Sequence, residues 1–359
     1  MFTASLGVFL FGLLAAIAGG AVGAAIGGNY AFVMTGFMVL ASWGIFAATG
    51  NTFGFDYLAF GPFFGPYVAF AGGVAGAIYA TYKGYMTDGK DVNSPLAGLG
   101  KPDVLFVGSL FGVFGYVVQI GIANLPWFGK HTDSVALTVL ISGLMARWVF
   151  GNTKGRKLFS GSLHNPELFH EGATSFPAKI KPGPNGRWLE WQEKPSQLLT
   201  IGSLFGIFAA SASLFLASNV GAHFAAQGLP STLAAANASS FPFAISAIII
   251  LFLITNRNMP VQHHVTITAG LGAVHFYPIL MGGTFDTFKW TATSTWDSHA
   301  WLMAFVALLI GAVFGIMAAA FAEFAARLWY NRGTSHIDPP AAAIWISNTI
   351  VVSLAALLS

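Results

Sequence analysis

The chain has 359 residues, of which 55% are hydrophobic and 8% charged, with 34 phenylalanines, a formal charge of +3 and no cysteine. This composition excludes an ordinary water-soluble domain, and the lack of cysteine excludes disulfides, cysteine-ligated clusters, thiolate zinc sites and thiol nucleophiles. It fits an all-α, polytopic integral membrane protein, since apolar runs of about 20 residues match a bilayer and helices satisfy their own backbone groups there.

The first apolar run, 5–28, has no Lys or Arg ahead of it and outlasts a signal-peptide core, so a retained span is expected. Further runs lie near 30–50, 66–82, 104–124, 134–151, 198–221, 241–256, 265–283, 300–329 and 341–358, which predicts about 10 transmembrane helices. Between the second and third, NTFGFDYLAFGPFFGP (51–66) contains glycines and two prolines that prevent a regular helix, while most other residues are aromatic or apolar. It reads as a broken crossing, a re-entrant segment or an external loop. The spans divide the chain into an N-terminal transmembrane half (1–151), a basic loop (152–197) and a C-terminal transmembrane half (198–359).

Charge sets the orientation. Residues 151–197 hold seven of the sixteen basic residues, including Lys154, Arg156, Lys157 and Lys179, so the positive-inside rule places the loop in the cytoplasm. Arg257, Arg327, Arg332, Arg147 and the lysines of the 83–103 loop fall on the same side if the spans alternate, leaving Lys130 and Lys289 outside. Arg147 is expected to snorkel from its span end, and Glu323 with Arg327 forms an i,i+4 pair. A cell (plasma) membrane location follows as an expectation.

Polar groups are scarce enough for each to matter. The span 265–283 carries Thr266, Thr268, His275 and Tyr277, and its Gly270, Gly272, Pro278, Gly282 and Gly283 predict a discontinuous helix with His275 near mid-membrane. Intramembrane ionisable groups mark function by default, and the bland alternative is an imidazole bonded to a neighbouring carbonyl. Asp56, in the glycine- and proline-broken piece, joins the candidate pathway. His263 and His264 beside Asn256 and Arg257, and His336 and Asp338 ahead of two prolines, are read as the cytoplasmic mouth, with helix capping the simpler role for Asp338. Adjacent histidines diverge by about 100° on a helix, so they do not form a metal site. His164, Glu167, His170 and Glu171 read as solvated surface.

No P-loop, dinucleotide fingerprint or nucleophile elbow is present, and the basic loop is too modest for nucleic acid. Neither catalysis, cofactor nor metal is therefore expected. Two sequence echoes hint at an internal repeat in conflicting registers: GSLFGVF (108–114) with GSLFGIF (202–208), and VAFAGGVAGAI (68–78) with VALLIGAVFGI (306–316). Small-xxx-small spacings at Gly19, Gly23 and Gly27, and at Gly72 and Gly76, predict close helix approach. The favoured expectation is a channel or secondary transporter for a small, neutral or weakly charged solute, lined by 265–283. The alternative is a non-transporting subunit or scaffold in a homo-oligomer or larger membrane complex. A membrane enzyme using the cytoplasmic His and Asp residues comes third.

Overall fold

The computed structural model describes residues 6–150, 188–331, 333 and 335–359. Among them the chain is helical, with one isolated β-bridge, Gly89 to Ser335, and no strand. The basic residues 154–181 and the cluster His164, Glu167, His170 and Glu171 lie outside the described residues.

The helices are α1 (Leu6–Ile26), α2 (Gly28–Thr49), α3 (Ala69–Tyr82), α4 (Pro102–Ala123), the one-turn α5 (Phe128–His131) and α6 (Ser134–Phe150). They continue with α7 (Pro195–Ala226), α8 (Thr232–Ala238), α9 (Ser240–Ile248), α10 (Ile250–Ile254), α11 (His263–Leu280), α12 (Ser298–Ala325) and α13 (Pro339–Leu358). Seven are long and apolar enough to cross a membrane: α1, α2, α4, α7, the rod α8–α10, α12 with its π-helical extension to Tyr330, and α13. The other three apolar runs also form helices. However, α3 has only 14 residues and α6 only 17, while three histidines and two threonines dilute the apolar content of α11.

Local chemistry sets the helix ends. Proline occupies the first turn of α4, α7 and α13, where its missing N–H costs nothing. The Asp297 carboxylate accepts from Ala300 N at 2.8 Å to start α12, and Gly50 (φ 69°) closes α2 in the left-handed region.

Two tight triads form the bundle. Helices α1, α3 and α4 pack mutually, as do α7, α11 and α12, and the two groups are joined where α2 meets α9 and where α6 meets α13. Both triads are held at backbone distance by small residues. A methyl on Gly108 would lie 2.6 Å from Ala24 Cβ, and one on Gly311 2.6 Å from Ala210 Cβ. Such contact replaces the hydrophobic drive that is absent between helices in lipid.

Loop pairings define two ends. At the basic end, Val92 O accepts from Asn29 N, Gly89 O accepts from His336 N, Asn331 Oδ1 accepts from Trp188 N, and Gln192 bonds Val261 through both its amide atoms. At the far end, Asn219 Oδ1 accepts from Thr293, Ser231 Oγ accepts from Trp290 N, and Thr132 bonds Thr349.

Two expectations are corrected. Helix α11 is continuous, with Pro278 in its last turns, because Gly270 and Gly272 serve packing against Ser213, Ser239 and Phe314 instead of unwinding. The irregular backbone falls at 51–68: a π-helical turn, Gly54–Ala59, runs into GPFFGP, which turns inside the bundle before α3. Phe64 O accepts from Thr35 Oγ1 at 2.6 Å, Phe60 O accepts from Tyr67 Oη at 2.7 Å, and Tyr67 O lies against Gly115. Backbone freed by Gly61, Pro62, Gly65 and Pro66 is thus satisfied by protein, as the interior of a membrane bundle requires. Arg147 does not snorkel: it is 1% exposed, donating from Nε to Ser335 Oγ at 2.6 Å and from Nη2 to Ser335 O at 2.7 Å. The Glu323–Arg327 pair is formed.

The α1–α4 crossing gives a direct test. A methyl on Gly112 would strike Ala16 O and the Gly20 Cα, whereas Gly44 on α2 has nothing within 4 Å. We expect Gly112→Ala to destabilise by about 1–3 kcal/mol and Gly44→Ala to be neutral or stabilising by up to about 1 kcal/mol, checked by unfolding in detergent.

Candidate functional site

A cavity of about 350 Å³ lies between the two groups of helices. Its walls come from both halves: Asn29, Phe32, Phe60, Pro66 and Phe70, then Asp133 to Val139 on one side, and Asn237 to Leu253, His263, His336, Asp338 and Ile344 on the other. Along the α8–α10 rod, lining residues run from Ala236 to Leu253, about 25 Å of helical rise. The cavity therefore extends from the far-end residue Asp133 to the basic-end residues Asn29, Trp188 and His336.

Each polar group arrives for a local reason. Asp133 precedes α6, its Oδ1 accepting from Ala136 N at 2.9 Å; Asp338 precedes α13, its Oδ2 accepting from Ala341 N at 2.9 Å. Both carboxylates sit at positive helix ends, which offsets their charge. Asp133 Oδ2 also accepts from Asn348 Nδ2 at 2.9 Å, while Asn348 Oδ1 accepts from Thr268 Oγ1 at 2.8 Å. That chain binds α6, α13 and α11. His336 Nε2 faces Asp338 Oδ1 at 3.3 Å, and its ring is edged by Phe70 and Tyr330. His263 opens α11, its ring centroid 4.6 Å from that of Phe32 and 6.0 Å from that of Phe243.

Two imidazole atoms on this cavity lack a partner. His263 and His336 are 4% and 5% exposed, yet Nδ1 of each has no hydrogen-bond partner among the described residues. With Nε2 of His336 donating to a carboxylate, its Nδ1 is an acceptor. Both rings line the cavity while these two atoms are turned into protein.

The structure brings three of the mouth residues, His263, His336 and Asp338, onto this cavity. His264 is fully buried next to His263 and near Trp188, and it does not line the cavity. Thr266 bonds Ser246 at 3.0 Å, and Thr268 supports Asn348, so both brace the wall. Tyr277 is buried in an aromatic cluster, stacked between Trp290 and Trp296. His275 does not line the cavity. It lies toward the far end of α11, stacked on Phe285 at 4.1 Å, in a surface cleft with Lys130, His131 and Asp286. Asp56 is exposed, accepts from Thr52 Oγ1 at 2.7 Å, and lines a far-end cleft that shares Phe60, Val135 and Asn237 with the cavity.

Asp133, Asn348, Asn29 and Asn237 are the site residues that sequence reading passes over. Asn348 carried a signal, as an amide within an apolar span; Asp133 looked like a loop residue because α6 was expected to start at the membrane surface. Among the described residues no group of His, Asp and Glu suited to a metal ion is found.

The chain matches, over residues 3–359, the family described as "Family of unknown function (DUF7973)". It belongs to that family. No curated protein and no solved structure matches the chain.

Two consequences are measurable. Replacing Asn348 with Leu strands Asp133 Oδ2 and Thr268 Oγ1 inside the bundle, and we expect a loss of about 2 kcal/mol or more, checked by unfolding in detergent. Lys90, in the basic-end loop over the Tyr330 ring at 4.7 Å, is pushed down to about 8 by burial, against the pull of Asp88. Its charged form is disfavoured in the folded state, so the penalty is full below pH 8 and is relieved as pH rises toward the unfolded value of 10.5. We expect stability to climb across that window by at most about 1.4 kcal/mol per unit, and Lys90→Met to remove the climb.

Proposed function

We propose that this chain is a secondary transporter or channel that passes a small, neutral or weakly charged solute between its two halves. The observation that carries the reading is the cavity lined by the imidazoles of His263 and His336, whose walls extend along most of the length of the α8–α10 rod. Its volume suits a small organic molecule. Phe32, Phe60, Phe70, Phe243 and Trp188 supply apolar and aromatic contact, while Asn29, Asn237 and the two imidazoles supply hydrogen bonds. Among the described residues no Lys or Arg lines it, and each lining carboxylate is already held by a helix N-terminus. A solute carrying full charge would find no free counter-charge, which favours a neutral or weakly charged one.

The pathway thus lies on the cavity rather than on His275 and Tyr277. Ten crossings account for the loop pairings: α1, α2, the 51–68 segment with α3, α4, α6, α7, the α8–α10 rod, α11, α12 and α13. Strict alternation through these brings the 83–101, 188–194, 255–262 and 331–338 segments to one side, in agreement with their contacts. Lys83, Lys90, Lys101, Arg257 and Arg327 belong to that side, which makes it cytoplasmic by the positive-inside rule. Five crossings per half would invert any repeat between the halves.

The test is uptake into liposomes carrying the purified chain, with urea, glycerol, short amides and weak acids as probes. Removing the His263 imidazole with His263→Ala should lower uptake about fivefold, the effect of losing one site hydrogen bond, while His275→Ala stays within about twofold of the parent. Equal uptake by all three proteins, or none above empty liposomes, would overturn the reading.

A further inference from the structure

Helix packing in one half repeats in the other. In the first triad α1 touches α3 and α4, in the second α7 touches α11 and α12, and the correspondence extends to individual residues. A methyl on Gly112 would meet Ala16 O and Gly20 Cα; one on Gly315 would meet Gly202 O and Gly206 Cα. A methyl on Gly108 would meet Ala24 Cβ, and one on Gly311 would meet Ala210 Cβ, at 2.6 Å in both cases. Ala16, Gly20 and Ala24 on α1 thus map onto Gly202, Gly206 and Ala210 on α7, with one spacing throughout.

The same correspondence sets GSLFGVFG (108–115) on α4 against GAVFGIMA (311–318) on α12, with Gly, Phe and Gly in register. Extended to the last crossing of each half, it aligns HTDSVALTVLIS (131–142) with HIDPPAAAIWIS (336–347). His131 then matches His336, Asp133 matches Asp338, and Ala136 and Val139 match Ala341 and Ile344. Asp133, Asp338, Ala136, Ala341, Val139 and Ile344 all line the cavity. The matched helices run in opposite directions, because Arg147 near the end of α6 bonds Ser335 ahead of α13, while Asp133 ahead of α6 bonds Asn348 within α13.

We infer that the chain is an inverted duplication of five crossings, and that His131–Asp133 is the far-side counterpart of His336–Asp338, the two pairs alternately gating opposite ends of the cavity. The inference rests on the transport reading above. In this structure the pairs differ. His336 faces its aspartate at 3.3 Å and is buried. His131 is turned away: its Nδ1 donates to Trp127 O at 2.7 Å, its ring stacks on the Trp127 indole at 4.5 Å, and Asn348 occupies Asp133 instead. Trp127, which holds it, has φ 58°, a costly conformation for a bulky residue. Exchange of the two arrangements, with His131 moving onto Asp133 as His336 leaves Asp338, opens one end as it closes the other.

The cysteine-free sequence allows a direct test. Ala136→Cys and Ala341→Cys place thiols at matched positions, each 5% exposed in the parent. Their modification by a membrane-impermeant maleimide is followed from either face of oriented vesicles. His336→Ala should speed labelling of the thiol at 341 from the basic side and slow that at 136 from the far side, each about fivefold, the ratio one net hydrogen bond carries. His131→Ala should do the reverse. The matching His→Gln substitutions repeat the experiment if an Ala variant is not monodisperse. Changes of the same sense at both thiols, or no change with any variant, overturn the inference. Opposed changes without uptake of any probe solute would leave the gate standing and remove the transport reading, whereas uptake with unmoved labelling would do the opposite.

Discussion

Two helices of this bundle begin where an apolar interior ought to forbid it. Helices α6 and α13 start on the wall of the central cavity, and the free N–H groups of a first turn cost several kcal/mol each if left bare in hydrocarbon. Asp133 and Asp338 resolve this by capping, each accepting from the amide three residues on. The capped turn in turn tolerates the carboxylate, since the helix end supplies partial positive charge. Without that mutual compensation neither the buried starts nor the polar lining would persist, and the cavity would close on an apolar seam.

Rigidity elsewhere explains why the space remains. Within each triad the helices meet at backbone distance, so side chains fill no gap and little sliding is allowed. The groups are joined by close packing and by specific bonds: Gly36 on α2 lies against Ala244 O of α9, Trp43 Nε1 donates to Ser240 Oγ across the same joint, and the Asp133–Asn348–Thr268 chain crosses α6, α13 and α11.

The architecture was largely legible in the residues and the site only partly. Apolar run length placed helices at all ten expected segments, because hydrophobicity over some twenty residues is a local property. Proline and glycine at 278, 282 and 283 suggested a break that does not form, since a proline near a helix end disturbs few carbonyls. The run GPFFGP does interrupt the helix, because four breakers in six residues allow only isolated turns. His263, His336 and Asp338 stood out as polar residues at span ends. Asp133, Asn29 and Asn237 did not, because their place on the cavity depends on which helices meet, a non-local fact. The inferred repeat is obscured for a related reason: GSLFG occurs on α4 and again on α7, helices of unlike position, so the strongest textual echo does not match the packing correspondence.

Departures from symmetry carry as much meaning as the symmetry. Under that correspondence the partner of Asn348 is Gly143, which has His336 O and Ile337 Cα beside it at 3.6 Å. One half therefore offers an amide that holds the opposing aspartate, and the other a glycine with no side-chain donor. Under the inferred exchange Asp133 trades Asn348 for His131, whereas Asp338 faces His336. Under the inferred gating the two ends of the cavity differ in how firmly each closes, and one arrangement becomes the preferred resting state. A preference of this kind needs only about 1 kcal/mol, the net worth of one hydrogen bond, and a single Asn opposite a Gly is sufficient to supply it.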